Sequence, residues 1–149
     1  MAAEAVIGGN GCSLWLRLDA YERAETDDDW YDSNWLRGQA TLTADAIGRD
    51  QLRRHGISLL TSEIREFCDQ LRRLVEQGSG EAHLEPMEPE IGCRVQLRDG
   101  LGTITAFLHQ PHPNVTVSVE GETDTSRLLS AIDGLDTVTR AFPERGTRT

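Results

Sequence analysis

From Cys12 to Tyr21 the chain alternates, with Leu14, Leu16, Leu18 and Ala20 on one side and Trp15, Arg17, Asp19 and Tyr21 on the other. A period of two commits a segment to a half-buried β-strand, because only there do successive side chains point to opposite faces. The pattern resumes at about Trp35, where Leu36, Gly38, Ala40 and Leu42 oppose Arg37, Gln39, Thr41 and Thr43. It is weaker over Gln51 to Leu59, although Ile57 and Leu59 still suggest a strand. Shorter alternating runs follow at Ala82 to Glu85, at Cys93, Val95 and Leu97, at Ile104, Ala106 and Leu108, and at Val115, Val117 and Val119. Asp99-Gly100 is a strong hairpin dipeptide, and Pro111 to Asn114 makes the next turn. Pro86 and Pro89 preclude central-strand pairing between the short run at 82–85 and its successor.

Two segments break this period. Ile64, Phe67, Cys68, Leu71, Leu74 and Val75 lie at three-and-four spacing and predict a helix over about 62–77, with Thr61 or Ser62 as cap and Gly78 as stop. Leu128, Ala131, Ile132, Leu135, Val138 and Phe142 predict a second helix over about 123–142, closed by Pro143. Gly134 weakens its middle by up to about 1 kcal/mol relative to alanine. The expected class is α+β: one curved, mostly antiparallel sheet of about six to seven strands with two packed helices. At 149 residues the chain suits a single domain over 1–149. Residues 1–11 and 144–149 read as frayed termini, and no internal repeat is visible.

Charge narrows function. The net charge of −10 repels nucleic-acid phosphates and favours basic partners. All fifteen positive side chains are arginine, so no Schiff-base or phosphate-loop lysine is present. Cys12, Cys68 and Cys93 are few, widely spaced and set in apolar patterns, as in reduced core cysteines of a cytoplasmic protein. No apolar run is long enough to span a membrane as a helix, and residues 1–11 lack the basic start of a signal peptide.

The stretch of most specific composition is Asp27 to Leu36, DDDWYDSNWL. Asp27, Asp28, Asp29 and Asp32 fit three roles: a solvated loop, a contact for a basic protein, or a hard-cation site. The spacing matches no calcium loop. Trp30 and Tyr31 are the surface candidates, because aromatic anchors ringed by acids mark interface centres; Trp35 opens a strand and reads as core. Glu85, Glu88 and Glu90 form a second acidic stretch, stiffened by its prolines. His55, His83, His109 and His112 show no metal-ligand spacing, and no nucleophile elbow or phosphate-binding glycine pattern occurs. Neither metal nor cofactor is expected.

With these residues placed, the chain resembles the WapI-type immunity proteins of bacteria. The resemblance is carried by Tyr21 and the acidic loop, then Asp32-Ser33-Asn34-Trp35-Leu36. It continues with Leu60-Thr61-Ser62-Glu63, Leu71-Arg72-Arg73-Leu74, Leu84-Glu85-Pro86 and Phe142-Pro143-Glu144-Arg145. Residues from about Gly92 to Val119 match least. The resemblance implies a small cytoplasmic protein that shields its producer by binding a polymorphic toxin domain, and it transfers no catalytic residue. The toxin of the namesake acts on tRNA, so a basic partner surface is expected, and Asp27, Asp28, Asp29, Trp30, Tyr31, Asp32, Glu85, Glu88 and Glu90 are the candidate contacts. Two other readings stay open: a non-enzymatic interaction module or homodimer, and a small enzyme in which histidines and carboxylates converge in a deep pocket.

Overall fold

In the computed structural model, which describes residues 2–23, 30–44, 52–111 and 114–146, the period-two runs form two sheets instead of one. Strands β1 (Ala3–Gly9), β2 (Cys12–Tyr21), β3 (Trp35–Ala44) and β4 (Leu52–Leu60) pair antiparallel in chain order, with the one-turn helix α1 (Trp30–Ser33) before β3. Helix α2 (Thr61–Gln77) follows β4 directly. Strands β5 (Gly80–Leu84), β6 (Ile91–Arg98), β7 (Leu101–Gln110) and β8 (Val115–Asp124) form the second antiparallel sheet, and helix α3 (Thr125–Ala141) follows it. The expected α+β class holds, but eight strands in two sheets replace the single sheet of six or seven. An architectural repeat is also present, since four strands and a 17-residue helix occur twice.

Alternation decides what each sheet buries. Ala3, Ala5, Ile7, Leu14, Leu16, Leu18, Leu36, Ala40, Leu42, Ile57 and Leu59 face inward from the first sheet. Val95, Ile104, Ala106 and Leu108 do so from the second, and the stripes of α2 and α3 complete one continuous apolar cluster. Burying such side chains stabilises the fold by roughly 1.5–3 kcal/mol each before chain entropy is set against it.

Helix ends follow local chemistry. Leu60 is the first cap of α2, without a side-chain cap bond, in place of the expected Thr61 or Ser62. The Glu63 carboxylate instead accepts from the Leu60 amide at 2.8 Å. At the other end Gly78 adopts a left-handed φ of 75°, and its amide donates to the Leu74 carbonyl. Asp124 caps α3 by accepting from the Arg127 amide at 2.9 Å.

Residues 3–9 are an edge strand that α3 covers, and Glu144 and Arg145 are bonded to the body of the protein. Gly134 of α3 marks a close approach: a Cβ there would sit 2.9 Å from the Ala5 Cα of β1. Helix propensity alone favours Gly134→Ala by up to about 1 kcal/mol. Forcing α3 off β1 costs roughly 1–3 kcal/mol, so a net loss of about 1 kcal/mol is expected in urea unfolding. A stabilised variant would show that the two elements separate freely.

Candidate functional site

The two acidic stretches, distant in sequence, are brought to neighbouring cavities. A groove of about 500 Å³ between α2 and β5 is lined by Glu63, Glu66, Phe67, Gln70, His83, Leu84 and Glu85. A second cavity of about 280 Å³ is lined by Glu22, Arg23, Asp32, Trp35, Ser58 and Glu88. The carboxylates interact across the two: Glu63 is repelled by Glu66 and Glu88, and Glu90 by Glu88 and Glu22. Six carboxylates thus line the pair of cavities against one guanidinium, that of Arg23, which pairs with Asp32 at 3.4 Å.

The expected contact residues divide. Asp27, Asp28 and Asp29 lie outside the described residues, and Tyr31 contributes only its place in α1. Asp32 and Glu88 meet at the second cavity, and Glu85, with 81% of its side chain exposed, borders the first. Two assignments are corrected. Trp30 is buried while Trp35 is half-buried and lines a cavity, the reverse of the expected roles. Glu90 is no surface acid either, because its carboxylate is only 14% exposed and pairs with Arg54 at 3.1 Å. The side chains of Glu66 and Glu88 are exposed and make no ion pair or hydrogen bond with a described residue. Sequence reasoning missed Glu22 and Glu66 as cavity residues. For Glu66 a signal existed, since Glu63 and Glu66 sit one helical turn apart.

Glu63 accepts from the Leu60 amide through one oxygen and from the Met87 amide through the other, at 2.8 and 2.5 Å, tying α2 to the β5–β6 connection. His83 in β5 directs Nε2 at Glu81, 3.0 Å away, and Nδ1 at Glu85, 3.4 Å away, while its amide donates to Gln70. His55 is exposed and lies in neither cavity. The larger groove is lined by no hydroxyl or thiol, while three carboxylates and the His83 imidazole border it. Among the described residues no three metal-ligating side chains converge. Burial pushes the Cys93 thiol up to about 12 and Cys68 up to about 11, which keeps both protonated and unreactive.

Burial pushes the Glu63 carboxyl above its ordinary value against the Leu60 and Met87 amides. Burial does the same to Glu90 against Arg54 and the Ser58 amide. In both, the folded state holds its proton more tightly than the unfolded chain. Their penalty is therefore present above the raised values and is relieved as pH falls toward the ordinary 4.5. Glu81 has the opposite sign: hydrogen bonds from Arg94, Gln96 and His83 hold it at about 2, so its contribution is lost as pH falls from 4.5 to about 2. The melting temperature is expected to rise as pH falls from neutral toward 4.5, helped by relief of self-repulsion in a chain of charge −10. A calorimetric series showing a fall over that interval would contradict this assignment.

The sequence profile described as the immunity protein WapI-like family matches residues 5–143. No curated protein sequence matches. Among solved structures, WHY1 from Arabidopsis thaliana is similar at 12% identity and a TM-score of 0.49, covering 97% of this chain and 85% of that one. The plant transcriptional regulator PBF-2 is similar at 10% identity and 0.49, covering 98% and 90%. The MRP1/MRP2 proteins of Trypanosoma bruciei are similar at 12% and 0.47, covering 95% and 86%. These structural likenesses carry no functional argument. The family match spans both sheets, both long helices and the residues that line both cavities, and by it this chain belongs to the immunity protein WapI-like family.

Proposed function

We propose that this protein is a cytoplasmic immunity protein that neutralises a toxin domain by binding it, and that the two acidic cavities form its contact face. Membership of an immunity family implies a protein partner of the toxin class. The single observation that carries the finer reading is the convergence of Glu22, Asp32, Glu63, Glu66, Glu85 and Glu88 from three separate parts of the chain onto neighbouring cavities. Such a face complements a basic surface, as on a domain that acts on a polyanion, and it accelerates encounter by steering.

The test begins with the gene neighbourhood. The carboxy-terminal domain of a large secreted protein encoded alongside is co-expressed with this chain, and survival is scored. Protection is expected, together with a direct complex whose affinity falls steeply as salt rises. Unprotected cells would refute the immunity reading, and salt-insensitive binding would refute the acidic face.

A further inference from the structure

The residue that organises one wall of this face sits in the Phe142-Pro143-Glu144-Arg145 tail, just past residue 143, where the family match ends. Arg145 follows α3 and returns to the start of β3. Its Nε donates to the Ser33 carbonyl at 2.9 Å, and its Nη2 donates to Ser33 at 2.5 Å and to the Arg23 carbonyl at 2.9 Å. The guanidinium lies 3.6 Å over the Tyr21 ring. Its backbone forms a reciprocal pair with the buried Asn34 side chain: the Arg145 amide donates to Oδ1 at 2.7 Å, and Nδ2 donates to the Arg145 carbonyl at 2.8 Å. The tail is seated further by Tyr21, whose hydroxyl donates to the Pro143 carbonyl and whose ring meets Phe142 edge-on at 5.6 Å. Glu144 pairs with Arg65 of α2 at 3.1 Å.

One planar group therefore bridges the backbone at Arg23 and at Ser33. The first of these residues lines the second cavity, and the second adjoins its Asp32. We propose that Arg145 is a positioning residue of the binding face: it fixes α1 and the Arg23 backbone, so that Asp32, Arg23 and Trp35 hold a wall opposite Glu88. The fork geometry is what the task requires, since an ammonium cannot span two carbonyls and stack on a ring in one pose. The functional half rests on the acidic-face reading; the structural half stands independently.

The test uses Arg145→Gln, Arg145→Lys and, as control, Glu144→Gln on the full chain. Hydrogen exchange of the Trp30–Leu36 amides is expected to quicken about tenfold in both Arg145 variants, with amides inside α2 and α3 unchanged, because local opening is confined to the clamped segment. Affinity for a synthetic oligoarginine peptide is expected to fall about fivefold in Arg145→Gln and Arg145→Lys and to stay level in the control. The sign is decisive, since Arg145→Gln makes the protein more acidic and simple attraction would tighten binding. Unchanged exchange at residues 30–36, or exchange accelerated equally throughout α2 and α3, would overturn the clamp. Equal or tighter oligoarginine binding by Arg145→Gln would overturn its part in recognition. Failure of the wild-type chain to bind oligoarginine would overturn the acidic face and that functional half together, with the exchange result still deciding the clamp.

Discussion

Asn34→Leu is expected to remove about 3–5 kcal/mol of stability and to lower the melting temperature by about 10 °C. Asn34 is fully buried at the point where β3 begins. Its Nδ2 donates to the Trp30 carbonyl and to the Arg145 carbonyl, each at 2.8 Å, while Oδ1 accepts from the Arg145 amide at 2.7 Å. Leucine has the same branched outline and is bulkier, so the substitution leaves no cavity, but it strips partners from three backbone groups at once. Each stranded group costs about 1–3 kcal/mol when water cannot reach it. Asn34→Asp is the harsher variant, because it replaces two donated bonds with a carboxylate facing two carbonyl oxygens. Circular-dichroism melts and urea titration of both variants check the expectation. An Asn34→Leu protein melting with the wild type would mean that the tail detaches and its backbone is solvated without loss.

That latch also marks where the sequence was legible. The alternation of β2, β3, β6 and β7, the stripe of α2 and the Asp99-Gly100 turn are local signals, and the structure reproduces them. Period two shows which side chains face inward, but it cannot show where one sheet stops and another begins; hence two sheets were read as one. Strand β1 was lost because its inward residues Ala3 and Ala5 are small. Their smallness has a cause in packing, since Ala5 lies against Gly134 of α3. Trp30 was misread because a tryptophan among aspartates has no local reason to be buried. Its neighbourhood is ordered by Asn34 and by a tail from the far end of the chain. Glu90 was misplaced for the same kind of reason, as its partner Arg54 belongs to the other sheet. Charge density was legible; which charges are cancelled internally was not.

Reversing the uncancelled ones gives the largest functional effect. The triple variant Glu66→Arg, Glu85→Arg, Glu88→Arg is expected to weaken toxin-domain binding about a thousandfold, about 4 kcal/mol, while leaving the melting temperature unchanged or slightly raised. All three residues are exposed, and Glu66 and Glu88 have no side-chain bond with a described residue to lose. Glu66 and Glu88 also repel Glu63, so their removal relieves strain within the fold. Binding suffers twice, through lost attraction and through like charges pressed together in a desolvated contact. A triple reversal elsewhere separates face from net charge: Glu120→Arg, Glu122→Arg and Asp133→Arg shift total charge equally from exposed positions on β8 and α3. If only long-range attraction mattered, both triples would weaken binding alike, mainly through slower association that salt abolishes. A local face requires the first triple to raise the dissociation rate as well, in high salt too, because arginines at positions 66 and 85 then obstruct the groove those residues border. Equal effects of the two triples would locate recognition somewhere other than these cavities.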